Sequence, residues 1–317
     1  MPQDHAEVDT AERVLFSTMG PLRREELGMI LPHEHIFVDF RTPDQPGYGE
    51  AEEAEVVAAL APKFEEIKAR GITAFVECTP TGVGRRADLD LAVSRATGVP
   101  VVVPTGSYRE PWVTPFLRAA CDDEMEGWMV RELTERFDEA DFKAGWIKLS
   151  AGDDGISPLE ERLLRAAARA GSRTGAVIGC HTMRGRVAME QLDIIEDEGY
   201  TASRFIWIHT QKETDLGFHD AAVARGAWIE YDHVSREPDE EVKSLILRAL
   251  GVGQAGNLLI SHDVGWFDPA KPRGGTQRSY THLSDVMMPL LSEAGVDDET
   301  LRQLTEDNPF NAYARPA

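Results

Sequence analysis

Eight short runs rich in β-branched and aromatic residues punctuate the chain: GMILPHEH (28–35), ITAFVEC (72–78), PVVVPTG (100–106), GWIKLSAG (145–152), GAVIGCH (175–181), RFIWIH (204–209), AWIEYD (227–232) and NLLISHD (257–263). Runs this short suit buried strands better than helices of ten or more residues. The segments between them carry helical periodicity. In 50–70, Val56, Val57, Leu60, Phe64 and Ile67 recur at helical spacing, Pro62 should kink or divide the run, and Gly71 ends it. In SPLEERLLRAAARAG, Ser157 caps, Pro158 takes the first helical position, Glu160 completes a capping box and Gly171 supplies a stop. Helices are also predicted over 85–97, 185–198, 214–225, 238–250 and 278–294, whereas 107–144 is the least legible stretch.

Alternation of strand and helix sustained eight times predicts an α/β fold, a (β/α)8 TIM barrel forming one domain over 1–317, with a short N-terminal extension over 1–13. A doubly wound open sheet is the runner-up. It usually carries a glycine-rich turn after its first strand, and no G-x-G-x-x-G or G-K-[ST] occurs here.

Barrels of this kind place working side chains at the C-terminal ends of their strands. His33 and His35 end the first strand, and the period of two puts both on one face while Glu34 points the other way. Strand four carries Lys148, strand five ends in His181, strand six in His209 and strand eight in Asp263. Four imidazoles, a carboxylate and an amine at one barrel mouth would pack poorly but would hold metal well. Zinc suits them, and manganese, iron or cobalt would serve. A protonated lysine cannot bind a cation. Desolvated, the neutral amine can add CO2, and the carbamate's two oxygens can bridge two ions. His262 should point away from the lumen, and His5, His219, His233 and His282 read as surface or core residues.

With 55 acids against 33 Lys plus Arg, the net charge of -22 argues against a nucleic-acid partner. No apolar run approaches the ~20 residues of a membrane span, and the acidic start lacks the order of a secretory signal, so the expected location is the cytoplasm and the expected partner a small-molecule substrate. Cys78, Cys121 and Cys180 are too scattered for a disulfide framework and read as buried thiols.

Several of these stretches together resemble the phosphotriesterase family of the amidohydrolase superfamily, whose members include phosphotriesterase-like lactonases: LGMILPHEH, GWIKLSAG with ISPLEERLLRAAARA, IGCHTMRG, WIHTQKETD, ISHDVGWF and NPFNAY, spanning about Val14 to Tyr313. The resemblance implies that His33, His35 and Asp263 bind a more buried metal and His181 and His209 a more exposed one. It further implies that carboxylated Lys148 bridges the two together with a hydroxide. Asp263 is then placed to take the hydroxide's proton. It also implies a homodimer, and a Tyr108 that lies over the metals in lactonase-like members.

The function expected is hydrolysis of a lactone or carboxylic ester, with phosphotriester (organophosphate) or amide hydrolysis as the alternative. Arg184, Arg186, Arg236, Lys271, Arg273 and Arg278 fall in loops predicted at the barrel mouth. Arginine suits carboxylate or phosphate, so Arg184, Arg236, Arg273 and Arg278, with Tyr108 and Trp266, are expected to bind an anionic substrate. Two other classes compete: a Schiff-base aldolase built on Lys148, and a non-catalytic metal-binding protein on the same fold.

Overall fold

A computed structural model describes residues 12–317. The extension expected over 1–13 lies outside the described residues up to residue 11, as does His5, and Arg13 already opens a strand.

The strands in chain order are β1 (Arg13–Ser17), β2 (Gly20–Leu22), β3 (Met29–Phe37), β4 (Ile72–Glu77), β5 (Val101–Val102), β6 (Pro104–Thr105), β7 (Trp146–Ser150), β8 (Ile178–His181), β9 (Phe205–Ile208), β10 (Trp228–Tyr231), β11 (Leu258–Ile260), β12 (Gly265–Phe267) and β13 (Arg315–Pro316). All eight predicted strands are present. The third is broken: β5 pairs with β4 through Phe75 and Val101, and β6 pairs with β7 through Pro104 and Trp146. Parallel pairing then runs β6-β7-β8-β9-β10-β11. The ring closes where the eighth strand continues past Asp263, whose N–H donates to His33 O at 3.1 Å, into β12, which pairs with β3 (Gly265 with His35). The result is a parallel (β/α)8 barrel. Beneath it β1, β2 and β13 form a small antiparallel sheet.

The helices are α1 (Glu53–Lys68), α2 (Ala87–Thr97), α3 (Pro115–Ala119), α4 (Asp122–Thr134), α5 (Pro158–Thr174), α6 (Gly185–Asp197), α7 (Leu216–Ala224), α8 (Asp239–Gly251), α9 (Met288–Glu293), α10 (Asp298–Arg302) and α11 (Asn308–Tyr313). Pro62 does not divide α1, because Val56 and Leu60 before it and Phe64 and Ile67 after it are all buried on one stripe. Gly171 does not stop α5. The helix runs on to Gly175, which takes the left-handed cap (φ 70°), and Gly171 is small because Tyr200 lies against it. The stretch 107–144 resolves into α3 and α4. Segment 278–294 begins with a π turn over Leu283–Met287 before α9.

Trp146 and Trp207 are fully buried and Trp228 nearly so, in the barrel wall. Cys78 and Cys180 are buried, but Cys121 is exposed at the N-cap of α4. No described helix is long and apolar enough to cross a membrane.

Candidate metal centre

The period of two in β3 sets the centre of the site. Glu34 turns outward into a fully buried cradle, where it accepts from Ser261 Oγ, the His262 and Val264 backbone N–H groups and His262 Nδ1. His33 and His35 turn inward, with ring centroids 5.5 Å apart. Three further strand ends bring their imidazoles and carboxylate to the same point: His209 lies 5.4 Å from His33 and 4.4 Å from His181, and Asp263 Oδ1 lies 3.0 Å from His35 Nε2. Lys148, only 2% exposed, enters from β7. All six line one pocket of about 380 Å³.

Two of the six sit on strained backbone. His209 has φ 64° and Asp263 φ 53°, a left-handed region that non-glycine residues visit at a cost of about 1–3 kcal/mol. The bend turns each side chain off its strand into the mouth.

Each inner imidazole is gripped from behind. His33 Nδ1 lies 2.9 Å from Glu230 Oε2 and 3.3 Å from Asp232 Oδ2; His209 Nδ1 lies 2.8 Å from Asp232 Oδ1; His35 Nδ1 lies 2.7 Å from Thr79 Oγ1. With Nδ1 so engaged, Nε2 faces the pocket. Burial, then the charge of Lys148, pushes His33 down to about 3, and burial, then His209, pushes His181 well below the ordinary imidazole value. Burial would also lower His35, but Asp263 and Glu77 outweigh it and raise it to about 9. Burial opposes ionisation of Asp263, yet bonds from His233 and His35 hold its carboxyl well below the usual range.

These residues fit a metal. His33, His35 and Asp263 offer ligand atoms within 4.8 Å of one another, as do His209, His233 and Asp263. His181 Nε2 is buried with no protein partner among the described residues, a state that costs free energy unless something else occupies it.

Of the residues expected to meet substrate, Tyr108, Arg236 and Trp266 line the pocket. The Tyr108 hydroxyl sits 3.4 Å from His181 Nδ1, and burial pushes it up to about 12. Arg236 donates to the backbone oxygen and Oδ2 of Asp263. Arg184, Arg273 and Arg278 do not line it. Arg184 occupies the N-cap position of α6 without a side-chain cap bond, Arg273 sits in a tight turn at φ 55°, and Arg278 borders a separate depression beside Trp266. Of the other two loop cations, Arg186 donates to Asp154 O at 2.6 Å and Lys271 pairs with Asp268 at 3.0 Å.

Strand seven supplies what the sequence reading left out. Glu230 and Asp232 of WIEYDH obey the same alternation as His33 and His35, and that signal was available. His233, expected at the surface or in the core, lies in the pocket with Nε2 3.6 Å from Asp263 Oδ2. Its Nδ1 is 3.1 Å from Glu237 Oε1, and Glu237 also pairs with Lys212, another pocket residue.

Residues 14–313 match the family model described as Phosphotriesterase family. Among curated proteins, a phosphotriesterase homology protein of Mycobacterium tuberculosis is 31% identical, the match covering 95% of this chain and 98% of that one. A phospho-furanose lactonase of Mycoplasmopsis synoviae is 25% identical over 94% of this chain and 91% of its own. Among solved structures, a mutant organophosphorus hydrolase from Deinococcus radiodurans superposes with TM-score 0.85 at 30% identity, covering 96% of this chain and 98% of that one.

Proposed function

We propose, from the premise that this chain belongs to the phosphotriesterase family, that it is a metal-dependent hydrolase of lactones or carboxylic esters bearing an anionic group, in preference to phosphotriesters. That it is a hydrolase follows from the family and from relatives that are themselves hydrolases. The Schiff-base reading of Lys148 gives way on the same ground. The finer reading rests on one observation: Lys212 and Arg236, two partly exposed cations, line the same pocket as the histidines. A phosphotriester carries no charge for them to meet. A carboxylate or phosphate on a lactone does, and each cation has donors beyond those its present partner uses. The phospho-furanose lactonase among the relatives supports this substrate class.

His33, His35 and Asp263 would hold one ion and His181 and His209 a second, zinc before manganese, iron or cobalt, with Lys148 joining them once carboxylated by CO2. Bound there, such ions polarise a carbonyl and bring the pKa of a water towards neutrality. The chain's own residues do the rest. Asp263, kept ionised by its neighbours, takes up a proton, and His233 and Glu237 continue outward from it as a relay. Tyr108, held neutral, is a hydrogen-bond donor over the site. Trp266 stacks edge-on against His35 at 5.7 Å and narrows the mouth against water.

We infer a homodimer of single-domain subunits in the cytoplasm, where its three free cysteines would stay reduced. Metal analysis combined with a hydrolysis panel tests the whole reading. About two metal equivalents per chain, activity lost to a chelator, and kcat/KM for an anionic lactone about tenfold or more above its neutral analogue are expected. Equal rates on the two lactones, or a faster phosphotriester, would remove the substrate assignment.

A further inference from the structure

A concavity larger than the histidine pocket lies elsewhere among the described residues. A groove of about 650 Å³ lies at the other end of the barrel, lined by residues that precede or open β8, β9 and β10, among them Gly175, Arg204 and Trp228. Its volume falls within the range of small-molecule sites, about 300–1,000 Å³.

Two guanidinium groups face it. Arg13 donates through Nη2 to Asn311 O and Ala314 O, and Arg204 through Nη1 and Nη2 to Ala312 O and Gly175 O. These carbonyls include the last of α11, so part of each arginine clamps a helix C-terminus. The clamp leaves donors over: Nε and Nη1 of Arg13 and Nε of Arg204 bond to nothing among the described residues. No carboxylate pairs with either arginine among those residues, in a chain where acids outnumber Lys plus Arg by 55 to 33. Arg315, 4% exposed, adds a third cation to the cluster, and its Nε is buried without a partner among the described residues. Arg204 stands close enough to repel both of the others. Burial, with Arg13 as the neighbouring cation, lowers Arg204, and burial with Arg204 lowers Arg315 to about 10. Like charges at a concave wall, with no counter-ion among the described residues, focus a positive potential there.

We propose that this groove is a second small-molecule site, which takes an organic anion with its carboxylate or phosphate between Arg13 and Arg204 and its apolar body against Trp228. Arginine's planar fork suits either headgroup. The exposed hydroxyl of Ser203 and the amide of Asn311 lie on the same wall. Because the groove lies away from the metal centre, occupancy would stabilise the fold by linkage without competing with substrate.

Calorimetric titration of the metal-loaded enzyme with phenyl phosphate, benzoate and neutral phenol tests this, in the presence and absence of saturating lactone. Saturable binding of an anion that the lactone does not displace, with phenol silent, is expected, and the stronger of the two anions identifies the headgroup. Arg13→Gln should weaken it about tenfold or more and leave kcat/KM unchanged. Ser203→Glu sets a carboxylate at the groove's edge without touching the clamp, so it reports even if Arg13→Gln does not fold; it too should weaken binding about tenfold or more. No lactone-independent binding, or binding indifferent to Ser203→Glu, overturns the assignment.

Discussion

Glu230 Oε2 sits 2.9 Å from Nδ1 of His33, and the other oxygen of the same buried carboxyl has no partner among the described residues. Glu230 therefore serves His33 alone, fixing its tautomer and aiming Nε2 at the pocket. Glu230→Gln keeps the shape and replaces the carboxyl behind His33 with an amide. It should weaken metal binding by about 10–100-fold, with Glu230→Asp intermediate. Competition against a chelator of known affinity measures this; unchanged metal affinity in Glu230→Gln would show that Asp232 alone orients the ring.

His233 stands between Asp263 and Glu237. If protons leave along that line, His233→Asn should lower kcat by about 10²-fold for substrates with poor leaving groups and much less for good ones. A series of aryl esters of graded leaving-group acidity reads this as a steeper dependence in the variant. A uniform loss across the series would instead point to a packing role.

Gly106 follows β6 at φ 105°, and a Cβ there would lie 2.1 Å from the carbonyl oxygen of Lys148. Neither the backbone angle nor the space admits a side chain. Gly106→Ala should cost about 2–5 kcal/mol, adding overpacking to a strained dihedral. Because the clash is with Lys148 itself, metal content should fall in whatever fraction still folds. Thermal melting and metal analysis on one sample would check both.

Asp39, fully buried, accepts two hydrogen bonds from the Arg41 guanidinium, at 2.9 and 2.7 Å, and another from Gly49 N at 2.8 Å, tying down the loop at the pocket's rim. Burial opposes its ionisation, but Arg41 outweighs it and holds the carboxyl below its usual value. A folded-state pKa below the unfolded one means the contribution is complete above about pH 4 and disappears as pH falls through the lower value. Asp39→Asn should cost roughly 1.5–3 kcal/mol near neutrality and flatten that acid limb. Urea titrations at pH 7 and pH 3 on both proteins measure the difference.

The barrel strands were legible because each buries both faces and so reads as a continuous apolar run. The hairpin of β1 and β2 was not, since its turn at Thr18–Met19 has none of the Asn-Gly or Asp-Gly chemistry that marks such turns. β12 is three residues long and reads as a loop after Asp263. In the site, the strand period sufficed to bring His33, His35, Lys148, His181, His209 and Asp263 to one pocket. It failed for residues beyond the strands: Arg184, Arg273 and Arg278 are directed by loop backbone that no local pattern encodes, and His233 is carried inward by the bend after Asp232. Pro62 and Gly171 misled for one reason: packing against the core overrode a local breaker.

His209 and Asp263 hold their left-handed backbone only because the surrounding strands compel it. Glycine or asparagine would rest there more comfortably, so a lineage that ceased to need this pocket would drift towards a sturdier, idle barrel at these two places first. Retention of the awkward residues at both is thus a mark of continued use, and anyone selecting variants of this chain for heat resistance alone should expect to lose its chemistry at those positions.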